Sequence, residues 1–299
     1  MVKRRFVLAG LVGITAMMLP LISNSQISNP QPQPVRQLYV FGDSLSDTGV
    51  AFRFSGGQYP PNPPYFQGRF SNGRVWTEYL AEDLQVPVDQ VRNFACGGAT
   101  TGTAGNSLAP SLLVQVSSFL QAQSAVSPDA LYVIWAGAND YLQGASSATA
   151  PVENIRSAIA SLIQKGARRI LVANLPNLGQ LPSIRSSSQA KALEALSQAH
   201  NQGLRRTLKL LNQQFPDVQI ATLDAGTLYQ EANANPSKFG FSNATSACLQ
   251  GVRICGQPNQ FLFWDDIHPT TAAHRVLASS ALQALQDVRI AQTSTGAVA

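Results

Sequence analysis

Charge is scarce in this sequence. Only 12% of its 299 residues are Asp, Glu, Lys or Arg, about half the share usual in a globular protein. The surface must therefore draw its polarity from Ser, Thr, Asn and Gln. The 21 Lys and Arg outnumber the 16 Asp and Glu, giving a net charge of +5. They are scattered, without a run of five, so a basic nucleic-acid footprint is excluded. Histidine and cysteine are rare, with three of each. His200, His268 and His274 with Cys96, Cys248 and Cys255 show none of the paired spacings of a zinc site, and no metal is expected. Long apolar runs are missing except for one at the extreme N-terminus, which excludes a multipass membrane protein. With 44% hydrophobic residues the chain also lies far from the composition of disordered segments.

That single apolar run has the features of an export signal. Lys3, Arg4 and Arg5 precede the apolar residues 6–22, and Ser23 and Ser25 are small residues spaced like a cleavage site before Gln26. Residues 1–25 are read as a signal peptide and 26–36 as a flexible, Pro-rich lead-in. The alternative is an uncleaved anchor, and Arg4-Arg5 leaves the twin-arginine route open. No Cys follows the run, against a lipoprotein. An exported protein, periplasmic or extracellular, is expected. An oxidising compartment suits Cys248 and Cys255, which close a short loop in ACLQGVRIC. A disulfide there would contribute about 2.5 kcal/mol in the chain-entropy model. Cys96 is then left over, as a buried thiol without a catalytic role.

Five short, β-rich apolar runs mark strands at 37–41, 91–95, 131–136, 169–174 and 218–223. Helical periodicity fills 74–84, 109–123, 151–165, 187–214 and 271–287. Strands alternating with helices specify a parallel sheet covered on both faces. No hairpin or repeat interrupts this order, so one domain is expected over 37–290, with a tail at 291–299. Two long segments, 50–70 and 224–263, fall outside the alternation as functional rims or lids.

The turns after the strands carry the chemistry. GDSLSDTG follows the first, ACGGAT the second and GAND the third, and the segment after the fifth ends in WDDIHP. In an open parallel sheet these C-terminal ends share one edge, where ligands bind at the topological switch point. Ser44 is a weak nucleophile unless a base takes its proton. His268 can be that base, and Asp265, three residues earlier, can reach its other ring nitrogen. The backbone N–H groups of Ser44 and Gly98 and the Asn139 amide are candidate donors to a developing oxyanion.

In order along the chain, FGDSLSDTG, SNGRVWTEYLA, NFACGGAT, GAND and FWDDIHPT resemble the sequence blocks of the GDSL, or SGNH, hydrolases. The match is to the branch of bacterial secreted lipases, phospholipases and hemolysins, over residues 37–287. The resemblance implies a flavodoxin-like three-layer α/β/α sandwich with a five-stranded parallel sheet. It makes Ser44 the nucleophile, Gly98 and Asn139 parts of the oxyanion hole, and Asp265 with His268 the rest of the triad. It also implies chemistry without metal or organic cofactor. The Asp-x-x-His spacing favours Asp265 over Asp266.

The remaining candidates have blander roles. Asp43 and Asp47 brace the Ser44 turn, Asp140 is structural, His200 is solvent-facing or locally bonded, and His274 packs or caps the closing helix. Trp76 belongs to the core and Trp264 beneath the His268 loop. Tyr59, Tyr65, Phe66 and Phe70 are candidate substrate-rim residues among Pro60, Pro61, Pro63 and Pro64. Arg69 and Arg74 bond to loop carbonyls rather than to an anionic head group. A monomeric serine ester hydrolase follows, acting on lipid or small-alcohol esters, with no stable protein partner. A carbohydrate O-acetylesterase or an acyltransferase would use the same residues, and a non-catalytic lipid- or surface-binding module is the alternative from another class.

Overall fold

The five apolar runs form five parallel strands. In the computed structural model, β1 (Leu38–Gly42), β2 (Val91–Asn93), β3 (Leu131–Trp135), β4 (Arg169–Ala173) and β5 (Gln219–Leu223) pair in the order β2-β1-β3-β4-β5. The register places Leu38 opposite Leu131, Val40 opposite Val133 and Gly42 opposite Trp135. The structure describes Val2 and residues 34–103, 109–123 and 125–296, with the side chains of the last helix described through residue 288. The expected signal peptide, apart from Val2, and residues 26–33 of the lead-in lie outside the described residues. The chain divides between Pro32 and Gln33, and every element named here belongs to the second unit.

Helices cover both faces of the sheet because its central strands β1, β3 and β4 are apolar on both. On one face Leu38, Val40, Leu131, Val133 and Trp135 pack with α2 (Trp76–Asp83), α7 (Ala225–Ala234) and α8 (Thr271–Gly296). On the other, Phe41, Tyr132, Ile134 and Val172 meet α3 (Leu112–Ala122), α5 (Thr149–Gln164) and α6 (Ala190–Gln214). This two-residue alternation, with large side chains on both sides, is what a doubly covered strand requires. Trp76 lies in the core, as expected. Two short helices, α1 (Val50–Phe54) and α4 (Ala138–Leu142), complete the set. The strand order is that of the flavodoxin-like sandwich, with its reversal between β1 and β3.

The segment 224–263 corrects the expectation of a long irregular rim. It opens with α7, whose start is fixed by the Asp224 carboxylate accepting from Thr227 N at 3.0 Å. Ala225, Tyr229 and Ala232 form its buried stripe. Four short strands follow: β6 (Asn243–Ala247), β7 (Leu249–Gln250), β8 (Arg253–Ile254) and β9 (Phe261–Phe263). β6 pairs with β9 in parallel, and β7 with β8 as an antiparallel hairpin, contrary to the expected absence of hairpins. The Cys248–Cys255 disulfide closes that hairpin, and Cys96 is free and buried. Helix α8 runs past the expected end at 287 to Gly296. Among the described residues no helix is long and apolar enough to cross a membrane.

Both helical histidines are buried. His200 was expected to face solvent or to bond locally; it lies instead on the buried stripe of Leu193, Ser197, Leu204, Leu208 and Leu211, and its Nδ1 is 2.9 Å from the hydroxyl of the distant Tyr141. His274 packs with neither ring nitrogen bonded. Burial pushes His200 down to about 4 and His274 down to about 3. A histidine that stays neutral in the fold but takes a proton when unfolded gives stability that is present above its unfolded value of about 6.5 and lost as pH falls below it. Asp43, pushed up to about 7 by burial, acts with the opposite sign, losing its contribution as pH rises through that value. The effect of one histidine is therefore read as a difference between variant and parent. His274→Leu should retain about 2 kcal/mol that the parent loses between about pH 7 and pH 5. Denaturant melts at the two pH values check this, and parallel losses in both proteins would refute it.

Candidate active site

The β1 strand ends at the switch point, and the turn after it carries Ser44. Gly42 makes this possible, since a Cβ there would collide with the Trp135 carbonyl oxygen. The Gln115 side chain bonds both its N–H and its C=O, each at 2.8 Å. Ser44 Oγ lies 2.8 Å from His268 Nε2. On the other side of the ring, His268 Nδ1 lies 2.7 Å from Asp265 Oδ2. Asp265 Oδ1 also accepts from Ile267 N and His268 N, at 2.9 and 2.7 Å, so the same carboxylate shapes the turn and orients the ring. Burial pushes its carboxyl up, but the facing His268 and the bonds from His268 and Tyr65 hold it down at about 2. Asp266 is exposed and meets Ser183 through its backbone carbonyl, and the bond to His268 Nδ1 is made by Asp265. His274, on α8, does not bond to Ser44.

The turns after β2 and β3 converge on the same edge. Among the described residues, neither Ser44 N nor Gly98 N donates a hydrogen bond within the protein. Gly98 holds a left-handed φ of 81°. The Asn139 amide donates to Ala99 O at 3.0 Å, which fixes its plane and leaves a second N–H. Asp140 accepts from Thr101 N and Oγ1 at 3.0 and 2.7 Å, tying the β2 turn to α4. Asn93 joins that turn to the nucleophile loop by donating to Ser46 O at 2.7 Å. Asp43 is buried; Oδ1 accepts from Leu45 N at 3.1 Å and Oδ2 is unbonded.

An apolar pocket opens beside Ser44, walled by Leu45, Leu142, Pro176, Leu178, Leu181 and Ile267. Two roomier clefts, of about 560 and 1000 Å³, are lined by residues of α6 with Asn174 and Asp224; neither is lined by Ser44 or His268. The candidate site is therefore chosen by its hydrogen-bonded series and not by cavity size.

Residues from the 50–70 segment stand behind this chain rather than only around it. The Tyr65 hydroxyl donates to Asp265 Oδ2 at 2.6 Å. Burial and the Asp265 charge push its phenol far up, so it remains a donor. Phe70 is buried, with its ring 5.1 Å from that of His268. Tyr59 is exposed and 5.4 Å from Phe70, while Phe66 is half-buried with the Arg69 guanidinium over its ring. Arg69 and Arg74 bond carbonyls as expected, but each also pairs with a carboxylate, Glu78 and Glu82 respectively, both at 2.7 Å. Trp264 is buried under the His268 loop, its backbone N–H donating to His268 O at 2.8 Å. The Cys96 thiol, pushed up to about 12 by burial, is unreactive. The bond from Tyr65 to Asp265 spans 200 residues, and no local pattern announces it.

A serine, a buried imidazole and a carboxylate in hydrogen-bonded series, next to open N–H donors, can activate an oxygen nucleophile and hold a developing oxyanion. The family model for GDSL-like lipase/acylhydrolase matches residues 38–281. The chain is 32% identical to a phosphatidylcholine-sterol acyltransferase of Aeromonas hydrophila, over 93% of this chain and 96% of that protein. It is 28% identical to a thermolabile hemolysin of Vibrio parahaemolyticus, over 85% of this chain and 64% of that one. A solved member of the lipolytic G-D-S-L family from Veillonella parvula superposes with a TM-score of 0.50 at 17% identity, covering 83% of this chain and 97% of that one, a likeness of fold.

Proposed function

We propose, given that the chain belongs to the GDSL-like lipase/acylhydrolase family and is a hydrolase acting on ester bonds, that it cleaves carboxylic esters with an apolar acyl group through an acyl-enzyme on Ser44. The observation that carries this reading is the bonded series Ser44–His268–Asp265 beside an apolar pocket. Ser44 Oγ attacks the ester carbonyl as its proton passes to His268 Nε2. Asp265 stabilises the imidazolium and keeps Nδ1 protonated. The oxyanion takes hydrogen bonds from Ser44 N, Gly98 N and the Asn139 amide, each worth roughly 100- to 1000-fold in rate. The imidazolium then protonates the leaving alkoxide, and the C–O bond to the alcohol breaks. Water, deprotonated by His268, attacks the acyl-Ser44 ester and releases the acid.

The likeness to an acyltransferase favours a second outcome from the same intermediate, in which an alcohol replaces water and a new ester forms. Export by the 1–25 segment agrees with the Cys248–Cys255 disulfide and belongs to the same proposal. The test is turnover of p-nitrophenyl esters from acetyl to palmitoyl, with and without a competing alcohol, alongside labelling by a fluorophosphonate. Release of p-nitrophenolate with the label on the Ser44 peptide is expected. Neither turnover nor label would refute the reading.

A further inference from the structure

Four large apolar side chains stand in water on the rim segments: Phe54 is 71% exposed, Tyr59 58%, Val252 101% and Ile254 47%. Such groups cost free energy in water and mark contact surfaces when they gather. They lie on two segments that both lead to the site. Tyr59 is one ring away from Phe70, which packs on His268. The hairpin carrying Val252 and Ile254 is rooted in the strand before Asp265, through Cys248 N to Phe263 O at 3.1 Å and Leu249 N to Trp264 O at 2.7 Å. The cluster of Cys248, Leu249 and Trp264 takes in Tyr65, so the two segments meet beside Asp265. The disulfide holds the hairpin as a projecting finger.

The charge on these segments has one sign. Residues 50–70 and 243–264 contain no Asp or Glu. Arg53 and Arg253 are exposed, each beside an exposed apolar residue, and form no ion pair among the described residues. A finger with an apolar tip and an unpaired arginine complements a deformable apolar medium under an anionic surface. We propose that Phe54, Tyr59 and the Val252-Arg253-Ile254 tip dock the mouth of the site onto an anionic lipid surface, which delivers the ester-bearing lipid to Ser44. The proposal rests on the ester-hydrolase reading above.

The test is sedimentation of the full chain with vesicles of phosphatidylcholine, alone or mixed with phosphatidylglycerol. Every form carries Ser44→Ala so that no lipid is consumed. Partition onto the mixed vesicles is expected. Val252→Asp should weaken it at least about tenfold, since each buried methylene is worth about fourfold. Arg53→Ser and Arg253→Ser should each weaken it about fivefold and together remove the preference for phosphatidylglycerol. The apolar residues 6–22 are common to all forms, so the differences belong to the rim. With Ser44 restored, the rim variants should hydrolyse p-nitrophenyl butyrate at the parent rate, which reports an intact fold. Rim variants that partition like the parent would overturn the docking surface. A parent chain inert toward p-nitrophenyl butyrate would instead overturn the ester-hydrolase reading, whatever the vesicles show.

Discussion

Ser44→Ala should lower ester turnover by about 10⁴- to 10⁶-fold, the range set by loss of a nucleophile acting in concert with its base, while the melting temperature should move by only a few degrees. The two halves have separate causes. Among the described residues Ser44 Oγ has one hydrogen-bond partner, His268 Nε2 at 2.8 Å, so its removal takes about 1 kcal/mol of bonding from the fold. That corresponds to about 2–4 °C in a domain of this size. The rate loss is large because nothing nearby can substitute. Ser46 is buried and receives the Trp76 indole N–H at 3.0 Å. Cys96 is buried with its thiol pushed up to about 12, leaving negligible thiolate near neutral pH. Stopped assays on p-nitrophenyl butyrate with parallel calorimetry separate the halves. Turnover within tenfold of the parent would remove Ser44 from the mechanism, and a collapsed melt would make the loss one of folding.

Strand positions were legible from the sequence to within a residue or two because the central strands β1, β3 and β4 are apolar on both faces and turn residues bound the runs. The site was legible for a related reason. A parallel sheet gathers its C-terminal turns at one edge, so Ser44, Gly98 and Asn139 had to approach one another wherever the loops ran. His268 and Asp265 lie three residues apart and needed only one turn. Contacts made by irregular backbone over long separations were not legible. Tyr65 reaches Asp265 across 200 residues, and nothing in its aromatic, Pro-rich neighbourhood announces that its hydroxyl bonds this carboxylate. His200 is a different kind of miss. It falls seven residues after Leu193 and four before Leu204, on the buried stripe of α6, and helical spacing predicts its burial once the polar ring is not treated as a surface marker. Helix α7 was hidden by the length of 224–263, although Asp224 with Thr227 three residues on is a capping signal.

Replacing Asp47 with alanine should cost more stability than replacing Ser44. Asp47 is buried beneath the nucleophile turn, and its two oxygens accept four backbone N–H bonds. Oδ1 takes Gly49 N and Val50 N at 2.7 and 2.6 Å, while Oδ2 takes Ala51 N at 3.0 Å and Gly97 N at 2.8 Å. Burial pushes the carboxyl up, and these four bonds offset only part of that rise. All four partners are donors, so only an acceptor on both oxygens satisfies them. Alanine leaves several N–H groups facing apolar neighbours, at about 1–3 kcal/mol for each that finds no water. A total near 4 kcal/mol is a large share of the roughly 5–15 kcal/mol that holds a domain together, and would lower the melting point by about 10 °C. Asp47→Asn should recover little, because its amide NH₂ would point at two other N–H groups. The bond to Gly97 also sets the β2 turn against the Ser44 turn, so Gly98 N and Ser44 N should lose their common aim. Turnover number should therefore fall about 100-fold, the scale of one lost oxyanion donor, with KM for a short ester nearly unchanged. Thermal melts and steady-state kinetics on both variants read these effects independently. An Asp47→Ala protein that melts with the parent would show that the four donors find water at little cost, and that the turn does not depend on the carboxylate.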